Sequence, residues 1–120
     1  MTGTENFGYL GYNFQVKLIN LIISDKNFAQ SILDVVEPKY FDNQYFKLIV
    51  QIVKEYYEKY QSVPSFETLE QITHLEVSSE MAKKCVIDML NEVKDSSFED
   101  HLFVKEKSIK FCKQQELKKA

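Results

Sequence analysis

Residues 43–60 read NQYFKLIVQIVKEYYEKY. Tyr45, Leu48, Ile49, Ile52, Val53, Tyr56 and Tyr60 recur at three- and four-residue steps, the spacing that gathers side chains on one side of an α-helix. Lys47, Lys54, Glu55, Glu58 and Lys59 fall on the other side, as a hydrated surface does. Asp42 is suited to cap the start, because a short carboxylate accepts a hydrogen bond from an otherwise unpaired N–H of the first turn. Gln61-Ser62-Val63-Pro64-Ser65 closes the helix, and Ser65 is placed to cap a short successor through Phe66, Leu69 and Ile72.

The same period extends outward in both directions. Phe14, Leu18, Leu21 and Ile22 share a helical face that Ile19 and Ile23 widen, which predicts a well-buried helix. After the polar break Ser24-Asp25-Lys26-Asn27, Phe28, Ile32 and Val35 or Val36 mark a second, short helix that stops at Glu37-Pro38, where the proline pushes its neighbour out of the α region. Ser78 or Ser79 opens a further helix with Glu80 in its first turn, continued by Met81, Cys85, Leu90 and Val93. Ser96-x-x-Glu99 has the form of a capping box, followed by a last helix through Leu102, Ile109, Cys112 and Leu117. Two such helices joined by Asp95-Ser96-Ser97 are expected to form an antiparallel hairpin. The expected fold class is therefore all-α, a globular helical head followed by a long antiparallel helical hairpin. Residues 1–12 read as a loose N-terminal segment, 13–95 as the head and first hairpin arm, and 96–120 as the second arm leading to a linker, all within one domain.

Composition excludes several function classes. All three glycines lie within the first eleven residues, so the chain has neither G-x-x-x-x-G-K-[ST] nor G-x-G-x-x-G, and no glycine-rich phosphate cradle can follow. The fifteen cationic side chains are all lysine, which rules out an arginine finger or a bidentate guanidinium fork within the chain. Charge is uneven: nine lysines against sixteen carboxylates leave residues 1–100 at −7, and six lysines against two carboxylates leave residues 101–120 at +4. The body should repel nucleic acid, and only the tail should attract it. Two cysteines without metal spacing suit a reducing compartment, and no signal peptide or membrane span is read, so a soluble cytoplasmic protein is expected.

Candidate sites follow from the same reading, and none of them is catalytic or metal-binding. His74 reads as a surface residue, and His101, flanked by Glu99 and Asp100, as a capping or surface residue. Cys85 and Cys112 lie in adjacent arms of the expected hairpin and read as core fillers. Leu90, Val93, Leu102, Ile109 and Leu117 are candidates for self-association, because a two-helix hairpin cannot bury both of its faces against itself. Lys110, Lys113 and Lys118 are candidates for weak DNA contact. Tyr57 and Tyr9 fall off the helical stripe and are free to serve a partner surface.

The order of elements resembles a known family. An apolar helix over 14–23, then Val35-Val36-Glu37-Pro38-Lys39-Tyr40-Phe41, the amphipathic helix 43–60, Ser62-Val63-Pro64-Ser65 and Thr68-Leu69 together resemble the N-terminal domain of DnaB-type replicative DNA helicases. Glu55-Tyr56, Glu99-Asp100-His101 and Val104-Lys105-Glu106 bring it nearer to the helicases of T-even-like phages, over residues 14–116. The resemblance implies a non-catalytic domain that pairs through its hairpin into a dimer or hexamer collar and docks a primase or helicase loader. It places ATP and Mg with a motor domain of the parent protein and none in this chain, inside a bacterial host cell. Two other readings are a stand-alone small helical phage adaptor that binds another protein through an aromatic surface, and a single-strand DNA module using the tail lysines and Tyr57.

Overall fold

A computed structural model describes residues 6–119, and among these every regular element is helical. The chain is all-α. Six α-helices follow one another: α1 (Tyr12–Ser24), α2 (Lys26–Ile32), α3 (Gln44–Tyr60), α4 (Phe66–Glu76), α5 (Glu80–Lys94) and α6 (His101–Lys119), with 3-10 turns at Phe7–Leu10 and Pro38–Tyr40.

Most helix starts are set where the sequence puts a short polar side chain. Asp25, Ser65 and Ser79 accept from Phe28, Thr68 and Ala82 N–H groups respectively. For α3 the cap is Asn43 and not Asp42: the Asn43 Oδ1 accepts from Tyr45 and Phe46, while the Asp42 backbone N–H donates to Gln15 at 3.1 Å. Gln61 ends α3 in the left-handed conformation, φ 58°. The capping box expected at Ser96 does not form. Ser96 Oγ instead donates to the Val93 carbonyl and accepts from Asn20, and α6 begins only at His101, after Asp100 reverses the chain at φ 61°.

α1 is the axis of the fold. Phe14, Gln15, Val16, Leu18, Ile19, Asn20, Leu21 and Ile22 are all buried, so polar residues on this helix must find partners inside. Gln15 donates to the Gly11 carbonyl and accepts from Asp42. Asn20 donates to the Val93 carbonyl at 2.7 Å and to Ser96 Oγ at 3.1 Å, and accepts from Ser24. α2, α5 and α6 pack on α1, and α3 and α4 pack on α5.

Two expectations are corrected here. The first is the long antiparallel hairpin: α5 and α6 each lie on α1 and not principally on one another. The cause is the side-chain placement, since α6 turns Val104, Ser108, Phe111 and Cys112 inward while α5 buries Val86, Leu90 and Val93. A helix of α6's length is about 28 Å long, which fits inside a body of 36 × 31 × 29 Å without projecting. The second is the loose N-terminus. Residues 1–5 lie outside the described part, but Phe7 is fully buried, with its ring centroid 4.6 Å from Phe111, 5.1 Å from Phe41 and 5.9 Å from Phe14. Asn6 caps this 3-10 turn through Gly8 N–H, and Gly11, at φ 97°, makes the bend into α1 that a side chain would strain.

Candidate interaction surfaces

α6 carries two apolar faces. At 100° per residue, Val104, Ser108 and Phe111 point inward, and Leu102, Ile109 and Leu117 lie on roughly the opposite side. Leu102 and Leu117 are 70% and 77% exposed. Together with Lys105, Glu106, Lys110, Lys113 and Gln114 they line a shallow groove of about 650 Å³ on the outer surface. Lys105 bridges to Asp25 at 2.7 Å and Lys119 pairs with Glu37, so α6 is tied to the body near both ends. These lysines hold the Asp25 and Glu37 carboxyls below the ordinary carboxylate range.

A second surface lies between α3 and α4. Ile52, Tyr56 and Tyr60 from one helix and Ile72 and Leu75 from the other form an apolar groove of about 490 Å³, edged by Glu55, Lys59, Thr68 and Glu76. The Tyr56 and Tyr60 rings lie 4.6 Å apart, tilted by 48° to one another, and Leu75 is 84% exposed. α4 carries Glu67, Glu70 and Glu76 and no lysine.

The sequence candidates divide between core and surface. Leu90 and Val93 are buried in the chain's own core and cannot meet a partner, which leaves from the self-association set the exposed Leu102 and Leu117 and, between them, the partly buried Ile109, whose inner side packs on the core. Lys110, Lys113 and Lys118 are exposed and make no ion pair within the described residues. Tyr57 packs against the core and is not a free partner residue, because the inward face of α3 is centred on Phe46, Ile49, Val50 and Val53. Tyr9 is 55% exposed and lies 6.3 Å from the Phe111 ring.

The titratable groups do not assemble into a reaction centre among the described residues. His74 is exposed on the last turn of α4. His101 and Lys105 line a hollow of about 580 Å³ with Asp25, Phe98 and Leu21, where Lys105 and Asp25 spend their charges on each other. Both cysteines are free thiols, Cys85 half-buried and Cys112 fully buried; burial pushes the Cys112 thiol up to about 12. No group of three or more His, Cys, Asp or Glu that could hold a metal is found among the described residues, and no helix there is long and apolar enough to cross a membrane.

The α3–α4 groove was missed by sequence reasoning. Its signal was Leu75, which sits about 120° around the helix from the buried Leu69, too far to share that stripe. Comparisons with protein-family models, with curated proteins and with solved structures each returned no match for this chain.

Proposed function

We propose that this chain is the N-terminal assembly and recruitment domain of a phage-type replicative DNA helicase, self-associating and docking a primase or helicase loader while performing no catalysis itself. One observation carries the reading: the order and spacing of Val35-Val36-Glu37-Pro38-Lys39-Tyr40-Phe41, the helix over 43–60, Val63-Pro64-Ser65 and Glu99-Asp100-His101. These short motifs fall at the junctions of the fold. Pro38–Tyr40 forms the 3-10 turn before α3 with Tyr40 and Phe41 buried, Pro64 is buried in the α3–α4 connection, and Asp100 and His101 make the bend into α6. Junction residues set the angles between helices, so their order bears on architecture more than the helical stripes do. The exposed apolar face of α6 supports an assembly role, since a contiguous apolar patch on a surface usually meets a partner.

ATP hydrolysis and Mg binding belong, on this reading, to a motor segment of the parent. The test is the coding frame downstream of Ala120. A continuation into a G-x-x-x-x-G-K-[ST] loop supports the helicase domain, and a stop codon at that point sinks it. The paired Tyr56 and Tyr60 rings beside Leu75 favour a second reading, a stand-alone helical phage adaptor that grips another protein through an aromatic groove; a stop codon supports that reading.

A further inference from the structure

The edges of the two exposed apolar surfaces carry opposite charge. Lys105, Lys110, Lys113 and Glu106 edge the α6 stripe, a net +2, and Glu55, Glu76 and Lys59 edge the α3–α4 groove, a net −1. Lys110 and Lys113 beside the α6 stripe, and Glu55 and Glu76 at the groove, are in no ion pair among the described residues. Lys59, which edges the α3–α4 groove, lies over the Tyr60 ring at 5.4 Å.

The lengths also match. Ile52 to Tyr60 along the groove and Ile109 to Leu117 along the stripe are the same number of residues apart, and each stretch rises about 12 Å. α4 packs on α3 and α5, whereas α6 packs on α1 and α2, so the groove and the stripe belong to different packing neighbourhoods of one chain.

We propose that the α6 stripe of one molecule docks in the α3–α4 groove of a second copy, Leu117 and the outer edge of Ile109 entering between Tyr56 and Leu75 while Lys110 and Lys113 face Glu55 and Glu76. This contact is heterologous: each molecule offers one stripe and one groove, and repetition gives a ring or an open chain, not a closed two-fold dimer. Two helical turns cover less area than a stable dimer needs, so the isolated chain associates weakly, in roughly the high-micromolar range, and more strongly at low salt. The docking shares the α6 face with the assembly role proposed above but stands on this chain's own faces and charges. If stripe paired with stripe instead, the docking would fail while the assembly role survived.

Complementation in sedimentation velocity tests it. Lys113→Glu with Leu117→Glu spoils the stripe, and Leu75→Asp spoils the groove; all three positions are exposed, and circular dichroism verifies that both variants fold. The wild type is expected to grow in weight-average mass with concentration, past a dimer at low salt, and to lose that growth in high salt. Each variant alone is expected to be monomeric, with association weakened roughly tenfold or more. An equimolar mixture is expected to form a one-to-one dimer and stop there, because it holds one intact stripe and one intact groove. Either variant associating like the wild type, a mixture that stays monomeric, or a monomeric wild type at millimolar concentration would overturn the proposal.

Discussion

Replacing Phe7 by alanine should destabilise the domain strongly, although the residue lies in a stretch whose sequence reads as loose. Phe7 is fully buried, and its ring contacts Phe111, Phe41, Phe14 and Tyr40 at centroid distances of 4.6, 5.1, 5.9 and 6.3 Å. A buried aromatic ring removes about 150–250 Å² from water, worth roughly 4–6 kcal/mol as an upper bound at ~25 cal/mol per Å². Alanine keeps part of that burial but leaves a cavity, and such truncations cost about 3–5 kcal/mol. With an unfolding entropy near 2.1 cal/mol/K per residue, this chain unfolds with about 0.25 kcal/mol/K, so a loss of ~4 kcal/mol lowers Tm by roughly 16 °C. Thermal melts followed by circular dichroism measure it, with the exposed Tyr9→Ala as a control expected to move Tm by no more than about 2 °C. A drop of under about 4 °C for Phe7→Ala would mean that the N-terminal turn is not part of the core, and the packing described above would be wrong.

Three further outcomes are expected. Asn20→Asp is nearly isosteric but sets a carboxylate against the Val93 carbonyl in a buried site; it should cost about 3 kcal/mol or more at neutral pH, and part of the loss should return on acidification as the buried acid takes up a proton, which urea titrations at pH 7 and pH 4.5 would reveal. Asp25 is held below the ordinary carboxylate value by Lys105, so its contribution is present above pH ~4 and is lost as pH falls through the lower folded-state value; Lys105→Met should flatten the acid limb of stability against pH, and an unchanged limb would refute the pairing. The Cys112 thiol, buried and pushed up to about 12, should resist a thiol-specific reagent until the chain unfolds, while half-buried Cys85 reacts in the native state; a single fast phase for both would contradict the placement of α6.

The helices of this fold are written locally, and local signals found them. Caps at Ser65 and Ser79 depend on neighbours within a few residues. The second helix ends at Ile32, ahead of the stop expected at Pro38, and the α3 stripe located its helix but not its inward face, which takes in Phe46 and Val50 and leaves Tyr60 exposed. What depends on distant partners was less legible. The expected stripe of the last helix, Leu102, Ile109, Cys112 and Leu117, merged two faces, because Cys112 points inward, Leu102 and Leu117 point outward, and Ile109 sits partly buried between them. With Ser108 and Phe111 unassigned, the inward face of α6 was invisible, and α6 was paired with its sequence neighbour α5 when its real bed is α1. Phe7 escaped for a related reason. A single aromatic ahead of Gly8 and Gly11 has no period, and its burial is created by Phe41 and Phe111, both remote in the chain. Likewise a surface groove needs two helices at a defined angle, which periodicity along one of them does not contain.

The contact of Phe7 with Phe111 bears on how the protein is made. The whole of α1 through α5 must be synthesised between these two residues, which at 5–20 residues per second takes on the order of ten seconds. During that interval the nascent chain already holds the apolar side of α1 and the rings of Phe7, Tyr40 and Phe41, but not the ring that closes over them. Folding to completion must therefore wait until α6 has cleared the ribosome, and a ribosome stalled before Phe111 would display a sticky aromatic cluster that chaperones and proteases recognise.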